Sequence, residues 1–96
     1  SNAEMFPAAM KSLGLAELVG MPTPGYVIYT GGSRLIDGTG IRIPGGGVYR
    51  VDGTPTENLG EKPDHMVDID PDQYFNNQDP QLDKAIEVLM RKLPRN

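Results

Sequence analysis

Ninety-six residues suffice for one small domain, and a chain of this size buries about 60–70 % of the surface its unfolded form exposes. Thirteen acidic against nine basic side chains give a net charge of −4, which argues against a general nucleic-acid surface because that needs a basic face to displace counterions. Without cysteine there is no disulfide and no thiolate zinc site, and a single histidine, His65, argues against a histidine metal cluster or a self-contained Ser-His-Asp triad.

No apolar run approaches the ~20 residues needed to span a bilayer, so the chain carries no membrane segment. Ser1-Asn2-Ala3 reads as the remnant of tag removal and is set aside. The native sequence then begins at Glu4, inside an apolar pattern with no lead-in, as a piece cut from a longer protein would. Residues 4–96 form the portion to be explained.

Met5, Phe6, Ala9, Met10 and Leu13 recur at helical spacing, which predicts a short amphipathic helix with Pro7 in its first turn and Gly14 as its C-cap. Leu15 to Val19 lead into a buried strand that breaks at Met21-Pro22-Thr23-Pro24-Gly25. Tyr26-Val27-Ile28-Tyr29-Thr30 is a β-branched and aromatic run, and Gly31-Gly32 marks its end. Arg34-Leu35-Ile36 and Ile41-Arg42-Ile43 flank Asp37-Gly38-Thr39-Gly40, a hairpin signal.

Gly45-Gly46-Gly47 lacks the lysine and following helix that a phosphate cradle needs, and reads as a flexible turn. Val48 to Val51 is a further short strand, ended by Asp52-Gly53. Met66 to Asp70 alternates apolar and acidic residues, as a half-exposed strand does. The five methionines are simplest as core filler, and His65 as a residue of the strand entry.

The last element has the strongest pattern. Leu82, Ala85, Ile86, Leu89, Met90 and Leu93 make one apolar stripe, with Asp79 as N-cap, Pro80 at the first helical position and Pro94 as the stop. Just before it, Asp68-x-Asp70-x-Asp72 has the alternating acids of a calcium loop. Gln73 stands where that loop requires glycine, Pro71 interrupts it, and Asp79 at its twelfth position is better used as a cap.

The order of these pieces carries a resemblance. Met5-Phe6-Pro7, Leu13-Gly14-Leu15, Leu18-Val19-Gly20, Leu35-Ile36-Asp37-Gly38, Ile43-Pro44 with Gly47-Val48-Tyr49, Glu57-Asn58 with Gly60 and Pro63-Asp64, and Asp79-Pro80-Gln81-Leu82 together resemble the C-terminal region of tricorn-like and tail-specific serine peptidases. The family's turn reads Glu-Asn-x-Gly-Val-x-Pro-Asp-Ile, with apolar residues where this chain has Glu61 and His65.

This resemblance implies an α/β (or α+β) fold, a partial ClpP/crotonase-like unit of short strands and a hairpin flanked by two helices. It implies the C-terminal part of a serine endopeptidase that hydrolyses peptide bonds. The family's nucleophile lies shortly before the position of Met5 and its base earlier still, so the chain alone should be inactive. Glu57 corresponds to the glutamate that orients the catalytic groups in tricorn-like members, whereas members with a serine-lysine pair do not need it. The competing reading of Glu57 is a solvated acid in a turn.

A peptidase binds its substrate as an added strand. The edge around Gly25, Tyr26, Gly31 and Gly32 is therefore a candidate for peptide contact, set against an ordinary strand end. The implied partners are a peptide or protein substrate, the remainder of the parent peptidase and further copies of the chain. No metal or organic cofactor is implied. Cytoplasmic and exported locations are both compatible. The alternative function is a non-catalytic peptide- or protein-binding module on the same fold, and a third reading is a calcium-responsive module.

Overall fold

The computed structural model describes residues 2–94 as a mixed α/β chain. Its element order is α1 (Asn2–Ser12), β1 (Val19–Gly20), β2 (Ile28–Arg34), β3 (Gly40–Gly47), β4 (His65–Met66), α2 (Pro71–Phe75) and α3 (Pro80–Lys92). These residues divide into two compact units, Ser1–Ala9 with Thr23–Glu61, and Met10–Pro22 with Lys62–Asn96.

Helix α1 closes as its glycine predicts. Gly14 adopts φ 66°, its N–H donates to Lys11 O (3.0 Å), and Leu15 N donates to Met10 O (2.9 Å), the paired bonds of a Schellman end. The helix begins earlier than its apolar pattern, at Asn2, so Pro7 lies in its interior and offers no N–H to the Ala3 carbonyl.

In the first unit, β2 and β3 form an antiparallel hairpin. Its loop is held by Leu35 N to Thr39 O (2.9 Å), Gly38 N to Leu35 O (2.9 Å) and Thr39 N to Asp37 Oδ1 (2.9 Å), with Gly38 at φ 87°. The predicted hairpin is present, but its strands are longer than expected. Gly31 and Gly32 do not end β2; they pair with Ile43 and Arg42, and the ladder supplied by β3 overrides the weak strand preference of glycine.

Gly45-Gly46-Gly47 is likewise part of β3 and not a free turn. The register passes from Tyr29↔Gly46 to Thr30↔Pro44, so Gly45 is the extra residue of a bulge beside a proline that has no N–H to give. Val48 to Val51 is reduced to one bridge, Tyr49↔Pro55, because Gly53 N to Arg50 O (2.9 Å) and Arg50 N to Thr54 O (2.8 Å) fold the chain back at once.

In the second unit, β1 and β4 pair in parallel through Val19↔His65 and Gly20↔Met66. The strands expected over 15–19 and 66–70 shrink to these two residues each. Proline follows β1 closely at Pro22, and Asp70 turns the chain into α2 instead of extending β4. Asp70 and Gln73 make a reciprocal capping box (Gln73 N to Asp70 Oδ1, 2.8 Å; Asp70 N to Gln73 Oε1, 3.1 Å), so the middle acid of the calcium-like series serves as a helix cap.

Helix α3 forms as predicted. Asp79 Oδ1 accepts from Leu82 N at 2.9 Å, and Glu87 pairs with Arg91 one turn on. It packs against β1, and the side chain of Gln81 donates to Val67 O (2.8 Å).

Val27 and Val88 are the buried apolar residues among those described, while Phe6 of α1 and Leu13 just beyond its end are 69 % and 70 % exposed. Ile86 and Leu89 on the stripe of α3 are also exposed. The apolar stripe expected on α1 is thus partly uncovered in this chain, at Phe6, while Met5 and Met10 are half-buried.

A carboxylate-held loop as candidate functional site

Residues Thr23 to Val27 run without regular structure before β2, so their backbone N–H groups need acceptors from elsewhere. Two glutamates provide them. Glu4, in the first turn of α1 and 5 % exposed, accepts from Thr23 Oγ1 (2.6 Å) and Gly25 N (2.9 Å) on Oε2, and from Tyr26 N (2.8 Å) on Oε1. Glu57 then accepts from Val27 N at 2.6 Å on Oε2.

Burial pushes the Glu4 carboxyl up. The hydrogen bonds from Thr23, Tyr26 and Gly25 outweigh that and hold it below its ordinary value.

Glu57 lies in a tight turn whose shape the sequence specifies. Asn58 sits at φ 64° and Gly60 at φ 66°, conformations that Asn and Gly tolerate best. Asn58 N donates to Gly25 O (2.8 Å), Thr23 N to Glu61 O (3.1 Å), and Glu61 N to Thr23 Oγ1 (2.7 Å), so the turn and the loop are stitched together on both sides of Glu57.

The contact leaves no room for side chains. A Cβ on Gly60 would fall 2.1 Å from Thr23 O, and one on Gly25 would fall 2.9 Å from Asn58 C and Gly60 N. Glu57 itself is half-buried, and its Oε1 takes no hydrogen bond among the described residues.

Beside this loop lies a cavity of about 20 Å³ lined by Glu4, Met5, Val27, Arg50, Thr56 and Glu61, among others, large enough for about one water molecule. Glu61 is 6 % exposed, and Arg50 Nη2 donates to its Oε2 at 2.5 Å and to Gly60 O at 3.3 Å. In the second unit, Glu17 pairs with His65 (Oε2 to Nε2, 2.7 Å) and with Lys92. Both positions where the chain departs from the peptidase pattern therefore carry a charged partner.

Of the sequence-predicted residues, Gly25, Tyr26 and Glu57 are brought together around one loop. The N–H groups of Gly25 and Tyr26 are occupied by Glu4, although the Tyr26 side chain is 73 % exposed. Gly31 and Gly32 lie on the hairpin, with open space where a Cβ would stand.

Sequence reasoning missed Glu4. The only signal was the proline- and glycine-broken segment 22–25, a stretch of backbone in want of acceptors. No group of three or more His, Cys, Asp or Glu side chains arranged for a metal ion occurs among the described residues, and none of their helices is long and apolar enough to cross a membrane.

Comparison with known proteins places this mixed α/β chain among the peptidases. The model of peptidase family S41 matches residues 1–67. The tricorn protease of Thermoplasma acidophilum is 38 % identical over 95 residues, covering 97 % of this chain and 9 % of that protein. The tricorn protease homolog of Saccharolobus solfataricus is 40 % identical over the same shares of each. A crystal structure of the tricorn protease superposes with a TM-score of 0.86 at 36 % identity, covering 96 % of this chain and 9 % of that one. The chain belongs to peptidase family S41, and it spans about a tenth of the length of these relatives.

Proposed function

We propose that this chain is the part of a serine endopeptidase that supplies an orienting carboxylate, Glu57, to a nucleophile and base carried elsewhere in the peptidase. The supporting observation is the division of labour on that carboxylate. Val27 N–H fixes Oε2 at 2.6 Å, while Oε1 takes no hydrogen bond among the described residues and can accept one from a catalytic group. A base that must stay in one tautomer and orientation needs such an acceptor, held by backbone and not by a mobile side chain.

The substrate is a peptide or protein, in keeping with relatives named proteases. The outer edge of β2, with Gly31 and Gly32 uncrowded, offers an extended peptide a strand to pair with. The chain alone is inactive. Its exposed apolar side chains, Phe6 and Leu13 among them, are covered by the remainder of the peptidase and by further copies.

The test is Glu57→Gln in the complete peptidase. Turnover should fall on the order of 10³-fold or more with KM little changed, the pattern of a misoriented base. Unchanged turnover would leave Glu57 an ordinary turn residue, whereas a folded complete protein without any turnover would leave the chain a peptide-binding module on the same fold.

A further inference from the structure

Glu57 is held by one backbone N–H, and that N–H belongs to a loop without secondary structure of its own. What holds the loop is Glu4. Its two carboxylate oxygens take the N–H groups of Gly25 and Tyr26, the two residues preceding Val27, and the hydroxyl of Thr23.

We propose that Glu4 is the positioning residue for Glu57, acting through the segment Thr23–Val27. This inference rests on the orienting role proposed for Glu57.

The mechanism is geometric. Three hydrogen bonds to one buried carboxylate fix the peptide planes of Gly25 and Tyr26, and with them the direction in which Val27 N–H points. Thr23 extends the same network to the other flank of the turn. Its hydroxyl donates to Glu4 and accepts from Glu61 N at 2.7 Å, while Gly25 O receives Asn58 N at 2.8 Å.

Glu57 is therefore enclosed by contacts that trace back to one side chain in α1. Gly25 completes the device, because at φ 87° and with Asn58 and Gly60 in contact no other residue can follow the same path. A carboxylate fits position 4 because Thr23, Gly25 and Tyr26 all donate to it, and a neutral amide would turn one of its two heteroatoms into a competing donor.

The test reads the Val27 amide of the chain by ¹⁵N-resolved NMR and hydrogen exchange. In the native chain that proton should be shifted downfield and protected from exchange, as a short hydrogen bond to Glu57 requires. Glu4→Gln should move it upfield and speed Val27 exchange about tenfold or more, while the Leu82 amide capped by Asp79 stays as it was. In the complete peptidase the same change should lower kcat about 10- to 100-fold, the scale of a small misplacement of a catalytic group, with KM within about threefold.

Should Glu4→Gln fail to fold, Thr23→Val and Thr23→Ser replace it. The valine should reproduce the loss at Val27 and the serine should restore the native values. A Val27 amide unaltered in Glu4→Gln, or in a folded Thr23→Val, overturns the proposal. Failure of the orienting role of Glu57 appears separately, as native turnover in Glu57→Gln.

Discussion

The carboxylate of Glu61, 6 % exposed, lies 2.5 Å from the guanidinium of Arg50, which is itself one-third exposed. The family pattern has an apolar residue at this position, so a charge pair stands here in place of packing. Removing Arg50 takes an ion-pair partner from the buried Glu61 carboxylate. Arg50→Ala should therefore destabilise the chain by about 2 kcal/mol, discounted from the fully buried case because the arginine reaches solvent. The double change Arg50→Met with Glu61→Leu should recover most of that loss. Urea unfolding of the parent chain and the two variants checks both values.

The network around Glu4 carries a pH dependence. Its folded pKa is depressed below the ordinary 4.5, so its stabilising contribution is complete above that value and is lost as pH falls through the folded pKa. The chain should lose stability on acidification below about pH 4.5, and Glu4→Gln should flatten that part of the profile. Thermal melts between about pH 3 and pH 7 measure it. An identical slope in the variant would count against the hydrogen-bonded carboxylate.

Glycines distinguish the loop from the hairpin. Gly60→Ala would drive a Cβ into Thr23 O at a positive φ, and should cost about 3 kcal/mol or prevent folding. Gly31→Ala meets open space within β2 and should stay within about 0.5 kcal/mol of the parent. Comparison of the two melting temperatures checks the contrast.

Helix α3 depends on its cap. Asp79→Ala removes the acceptor of Leu82 N and should lower stability by about 1 kcal/mol, with the loss read as ellipticity at the helix minimum.

Local chemistry made part of this fold legible in advance. The stripe from Leu82 to Leu93 with Asp79-Pro80 before it, Gly14 after the first helix, and Asp37-Gly38 in the hairpin are signals confined to a few neighbouring residues. The turn bearing Glu57 was likewise legible, from Asn58 and Gly60. What escaped depends on distant partners. Gly31 and Gly32 are strand residues only because Ile43 and Arg42 face them, and Asp70 caps a helix where the alternation of Val67 and Ile69 with Asp68 and Asp70 suggested a strand. Nothing local marks Glu4, and its acceptor role emerges only when residues more than twenty positions away fold onto it.

The central claim, that these residues complete a serine peptidase without carrying its nucleophile, is tested most directly by fluorophosphonate labelling. The complete peptidase should label, its Glu57→Gln variant should label much more slowly, and the 96-residue chain should not label at all. A folded complete protein that resists the probe, or labelling of this chain at any of its three serines, would contradict that reading.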